Sequence, residues 1–143
     1  MRKRKTCKPP REPLNASNDS EIDAAFAALT TLHVGGLVIS ADSLLFSRKE
    51  RLAALAARCA VPAVFGFREF AVAGGLISYG ASPNDQHRIV GVYVGRILNG
   101  EKPANLPVQQ ATKIESIVNL KTAKALGLNI PLPILGCADE VIE

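Results

Sequence analysis

Tryptophan is absent, methionine occurs once, and aromatic residues make up only 5% of the 143 residues. A core made from this chain must therefore use Ala, Leu, Val and Ile, packed tightly rather than around large rings, which suits layered α/β packing. Cysteine is scarce too: Cys7, Cys59 and Cys137 stand far apart with no CxxC pairing, which excludes a zinc ribbon or a thioredoxin-type redox motif. Cys59 reads as a small core residue. The only histidines, His33 and His87, have no partner at ligand spacing, so no metal is expected. No uninterrupted apolar run approaches the roughly 20 residues of a membrane span. The basic start leads into Pro9, Pro10 and Pro13 rather than the apolar run of about 7–15 residues that an export signal needs, so none is expected.

What is present is the balance of a soluble globular domain, 48% hydrophobic and 21% charged residues. The net charge of +4 is unevenly spread. Arg2, Lys3, Arg4, Lys5, Lys8 and Arg11 precede the folded region, and removing those six charges from +4 leaves −2. Residues 1–13 read as a basic, disordered leader, and the slightly acidic body offers no face for nucleic-acid phosphates.

Hydrophobic periodicity gives an alternating order of elements. A weak strand is expected at Glu12–Ala16, followed by a helix over DSEIDAAFAALTTL. Asn18 or Ser17 caps it, Glu21 returns a bond to the cap's backbone amide, and Ile22, Phe26 and Leu29 form its stripe. Gly35 and Gly36 end it, and GLVIS (36–40) reads as a strand covered on both faces, with a loop at 41–46 beyond it. Ser47 and Glu50 repeat the capping-box spacing ahead of a helix that points Leu52, Leu55 and Ala56 inward and stops at Val61-Pro62. Strands at 63–65 and 76–79 flank a helical turn at 68–73. Ser82-Pro83 with Asp85 starts a helix running to Asn99-Gly100, its Ile89, Val92, Tyr93, Arg96 and Ile97 assigned mostly to the core. A Pro-punctuated connection, a strand at 112–118 and a helix capped by Asn119 and ended by Gly127 follow, and the last residues wrap the surface. Such alternation specifies a mainly parallel sheet with helices on both faces, whose ligands bind at the carboxyl ends of the strands. Those places are 40–46, 65–70 and 79–85.

No catalytic set emerges. His33 stands at a helix end and His87 inside a helix, with no nucleophile-base-acid arrangement, and an Asp42/Glu69 carboxylate pair has no other support. Gly35-Gly36 and Gly74-Gly75 lack the context of phosphate loops, which leaves chain reversal as their role. Neither an enzyme nor a cofactor is expected.

Four segments, RLAALAARCAVPAVF, REFAVAGGLISYG, VGRILNGEKPANLPV and VNLKTAKALGLNIP followed by ADEVIE, together resemble ABC transporter substrate-binding proteins from about Asn15 to Glu143. The resemblance implies the C-terminal part of a type I periplasmic-binding-protein fold, with two Rossmann-like lobes clamping a small, amino-acid-like ligand. It implies a C-terminal-lobe region at 14–111 and a terminal strand-helix and tail at 112–143 that return to the first lobe. Ligand positions carried over are Asp42, Phe67, Arg68, Glu69, Tyr79 and Asp85. Carboxylates suit an ammonium, Arg68 a carboxylate, and Phe67 and Tyr79 an apolar side chain. An ABC permease partner and a periplasmic location also follow from the resemblance, although the chain as written carries no signal and would stay cytoplasmic. Relatives have a first lobe ahead of the matched region, so the expectation is a truncated form that does not close as a full-length relative would. The competing readings are the effector domain of a transcription regulator, for which Met1–Pro13 is too short and proline-rich to supply a helix-turn-helix, and an inactive remnant.

Overall fold

The computed structural model describes residues 12–110 and 113–143. The basic leader up to Arg11, with Cys7, and the start of the expected strand at Thr112 lie outside the described residues.

Asn18 caps helix α1 (Asp19–Leu32), its side-chain oxygen accepting from the Glu21 amide at 2.9 Å. The Glu21 carboxylate reaches the Ser17 backbone amide at 2.7 Å and the Asn18 side-chain amide at 2.8 Å, one residue before the expected backbone donor. The helix ends at His33, which adopts the left-handed conformation (φ 48°), two residues before the glycines expected to stop it. The chain continues through β1 (Leu37–Ile39), α2 (Ser43–Ser47), α3 (Lys49–Arg58), β2 (Ala63–Phe65), α4 (Arg68–Val72), β3 (Ile77–Ala81) and α5 (Pro83–Leu98). A 3₁₀ turn at Pro103–Asn105 leads to β4 (Ile114–Asn119), α6 (Leu120–Ala125), α7 (Leu132–Gly136) and β5 (Glu140–Ile142).

The strands form one sheet in the order β1-β2-β3-β4-β5. β1, β2 and β3 are parallel, β4 runs antiparallel to β3, and β5 is parallel to β4. The sheet is thus mainly parallel, and β4 joins β3 through five residue pairs from Ile77–Val118 to Ala81–Ile114.

Alternation along each strand, carried across by the register, puts Ile39, Ala63, Phe65, Ser78, Ile117 and Asn119 on one face. All six are buried. Ile22, Phe26 and Leu29 of α1, Leu52 and Ala56 of α3 and Phe70 of α4 pack against that face, with the Phe65 and Phe70 rings stacked 4.7 Å apart. Ile22, Leu52, Phe65 and Phe70 are at most 2% exposed, and each such side chain contributes roughly 1.5–3 kcal/mol of transfer free energy. Asn119 caps α6 through the Thr122 amide while its own amide donates to the Ala71 carbonyl at 2.9 Å, so one buried polar side chain ties α6 to α4.

Several local expectations give way to long-range packing. Residues 12–16 carry no strand pairing. β1 is an edge strand covered on one face only, with Val38 80% exposed on the other. Residues expected as a loop form α2, because Asp42 accepts from the Leu44 and Leu45 amides. Ser47 donates to the Leu44 carbonyl inside that turn, so it does not cap α3, whose buried residues are Leu52, Ala53 and Ala56, with Leu55 half-buried. α5 buries none of its residues. Its spacing is helical, but Val92 and Ile97 are 49% and 40% exposed rather than in a core. The tail forms α7 and β5, since residues 140–142 find an open edge on β4.

Candidate functional site

The parallel strands end together, so the segments after β1, β2 and β3 gather at one edge of the sheet. Two glycines let them close ranks. A methyl group on Gly66 would stand 2.9 Å from the Ala41 Cβ, and one on Gly80 would overlap the Gly66 carbonyl oxygen. Gly66 and Gly80 carry no chemistry of their own, and nothing in local spacing marks them, since both contacts join residues distant in sequence.

Asp42, Phe67, Arg68, Glu69 and Asp85 lie around this edge. Asp42 begins α2 and commits one carboxylate oxygen to the Leu44 and Leu45 amides at 2.8 and 3.3 Å. Phe67 precedes α4, its ring edge-on to Phe46 with centroids 5.3 Å apart, and Phe46 lies edge-on to Phe70 as well. Phe46 was not among the expected site residues. Its signal is the LLF run after a strand end, and Lys49 Nζ stands 5.3 Å from its ring centroid.

Arg68 and Glu69 occupy the first turn of α4. The Arg68 guanidinium donates to Glu140 of β5 at 2.6 Å. The partners are 37% and 47% exposed, so the pair contributes at most about 1 kcal/mol. One Glu69 carboxylate oxygen is buried without a hydrogen-bond partner, and the Ser78 hydroxyl of β3 is likewise unpartnered. A buried carboxylate oxygen without a donor carries a desolvation penalty that a bound cationic donor relieves. Asp85 sits in the first turn of α5, paired with Arg88 at 3.0 Å.

Tyr79 departs from the group. Being adjacent to Ser78 in a strand, it points to the opposite face of the sheet, where it is 62% exposed. Among the described residues no three His, Cys, Asp or Glu side chains converge to hold a metal ion, and no helix is long and apolar enough to cross a membrane.

This architecture has counterparts among solved structures. A conserved domain protein from Vibrio cholerae O1 biovar El Tor is 23% identical, with a TM-score of 0.80 over 88% of this chain and 42% of that one. An ABC domain from Streptococcus pneumonia in complex with L-Trp is 25% identical, with a TM-score of 0.82 over 92% of this chain and 45% of its own. A ligand-free, open substrate binding protein with adhesive properties from Clostridium difficile is 22% identical, with a TM-score of 0.62 over 89% of this chain and 42% of that one. The chain thus spans less than half the length of these structures. No curated protein is similar enough to count as a match. The family model described as ABC transporter substrate binding protein matches residues 12–142, and the chain belongs to that family.

Proposed function

We propose that the chain supplies one wall of the cleft of a solute-binding component of an ABC importer, and that its ligand is a small zwitterion of the amino-acid class. The observation that carries this reading is the adjacent pair Arg68 and Glu69, an accessible guanidinium beside a carboxylate with a buried, unpaired oxygen. A ligand carboxylate competes with Glu140 for Arg68, a ligand ammonium satisfies Glu69, and the Phe46–Phe67 pair offers an aromatic edge to an apolar side chain. Asp42 and Asp85 border the same edge and add negative potential for the ammonium, while Tyr79, on the other face of the sheet, takes no part. The L-Trp bound to the Streptococcus protein supports a ligand of this class. Recognition is by closure of two lobes with no covalent step, and the setting is extracytoplasmic, beside an ABC permease.

Calorimetry against a panel of amino acids, amines and carboxylic acids tests the reading. The expected result is weak binding, in the millimolar range, by compounds carrying both an ammonium and a carboxylate, since a single wall buries only part of a ligand. No heat with any amino acid contradicts the ligand class. Micromolar binding by the monomeric chain contradicts the single-wall reading.

A further inference from the structure

Strand register decides where the side chains of β5 point. Glu140 pairs with Ile117 and Ile142 with Asn119, so both stand on the face of the sheet that α4 covers, while Val141 points away. Glu140 thereby meets Arg68 in the first turn of α4, 72 residues earlier in the chain. The contact is one-armed. Only Nη2 of the guanidinium engages Glu140, at 2.6 Å, whereas Arg48 holds Asp19 and Arg96 holds Glu101 with two nitrogens each. Otherwise β5 is lightly held. It has three residues, none buried, and three register pairs to β4. Just before it, the Asp139 amide donates to the Ser116 carbonyl and the Asp139 carboxylate accepts from the Ser116 amide, both at 2.8 Å. Among the described residues no strand covers its outer edge.

We propose that Glu140 is a built-in stand-in for the ligand carboxylate, so that docking of β5 and occupancy of Arg68 oppose each other. The inference rests on the reading of Arg68 as the group that takes the ligand carboxylate. A ligand carboxylate presents two oxygens to the planar guanidinium fork and displaces a partner that uses one nitrogen. Glu140, once released, leaves β5 with its pairs to β4 alone, and the strand opens more often. The effect is reciprocal: the factor by which a docked β5 weakens the ligand is the factor by which the ligand loosens β5. Arg68 and Glu140 are 37% and 47% exposed, which limits that factor to about five. Occupancy at the carboxyl ends of the parallel strands is thereby reported at the far edge of the sheet, across β3 and β4.

Amide hydrogen exchange of the whole labelled chain tests this, read at residues 139–142 with the β3 and β4 amides as reference. Arg68→Gln and Glu140→Gln are each expected to speed exchange at 139–142 by about two- to fivefold while the reference amides stay constant. L-Trp at about 10 mM, above the millimolar range expected for a single wall, is expected to do the same in the parent and to add nothing in Arg68→Gln. Tryptamine has the ring and the ammonium but no carboxylate, and it is expected to leave 139–142 unchanged. Bound L-Trp that leaves exchange at 139–142 unchanged or slows it, or tryptamine as effective as L-Trp, overturns the proposal. Unchanged exchange in both variants overturns it alone. If L-Trp shifts no amide in the parent or in Glu140→Gln, the ligand reading fails and the proposal with it.

Discussion

The α-carbon of Gly80 rests against the carbonyl of Gly66, so the carboxyl end of β3 is seated directly on the segment leaving β2. Any side chain at residue 80 collides with backbone, which moves only if the loops part. Gly80→Ala is therefore expected to lower stability by about 3 kcal/mol, the upper part of the range for overpacking. Gly66→Ala meets the Ala41 methyl group at 2.9 Å and is expected to cost about 1 kcal/mol. Combining it with Ala41→Gly recovers most of that loss, a coupling that urea melts of the four chains of the cycle measure directly.

Helix α3 ends in a turn closed by the Ala60 amide on the Ala57 carbonyl and the Val61 amide on the Ala56 carbonyl, both at 3.1 Å. Ala60 holds φ 51° there, in the region where a Cβ crowds its own backbone. Ala60→Gly is expected to raise stability by about 0.5–1 kcal/mol, the strain relieved being partly offset by the freer unfolded chain. A urea midpoint that falls or stays constant contradicts the strain.

Arg68 holds Glu140 across the end of the sheet, and in the proposed site the ligand carboxylate competes for the same guanidinium. Glu140→Gln removes the competitor. Because the pair is accessible to solvent, the expected stability change is under 1 kcal/mol, while binding of an amino acid tightens several-fold. Weaker binding in Glu140→Gln indicates that the ion pair positions Arg68 rather than occupying it.

Asp19 is held below the ordinary aspartate pKa, first by its hydrogen bond from Arg48, with burial opposing and the charges of Arg48 and Arg51 reinforcing. A depressed carboxylate contributes stability that is fully present above its unfolded pKa and is lost as pH falls through the folded value. The urea midpoint is thus expected to fall as pH drops below about 4, and Asp19→Asn is expected to flatten part of that fall. Equal acid dependence in both chains contradicts a role for the pair.

Those elements whose causes are local were legible in the sequence. Asn18 and Asn119 cap the helices they precede, and Gly127 (φ 67°) ends α6. Elements whose causes are distant were not. The spacing of Ile89, Val92 and Ile97 identifies a helix but says nothing about which side has a partner. Ser47 and Glu50 match a capping box, yet Ser47 already completes the turn that Asp42 starts. The two prolines of the tail point to a segment that wraps the surface, while the open edge of β4 recruits residues 140–142 as a strand. At the candidate site, Asp42, Arg68 and Glu69 stand at strand ends as their positions in the order imply. The Gly66–Gly80 contact and the Phe46–Phe67 pair join residues that no local pattern links.

The most direct measurement of the proposed site is amide chemical-shift mapping of the labelled chain during titration with L-Trp. Saturable shifts, at about millimolar ligand, are expected for residues 41–46, 66–69 and 81–85, and they disappear in Arg68→Ala. Shifts confined to other surfaces, or none for any amino acid at about 10 mM, contradict a ligand wall at the carboxyl ends of β1, β2 and β3.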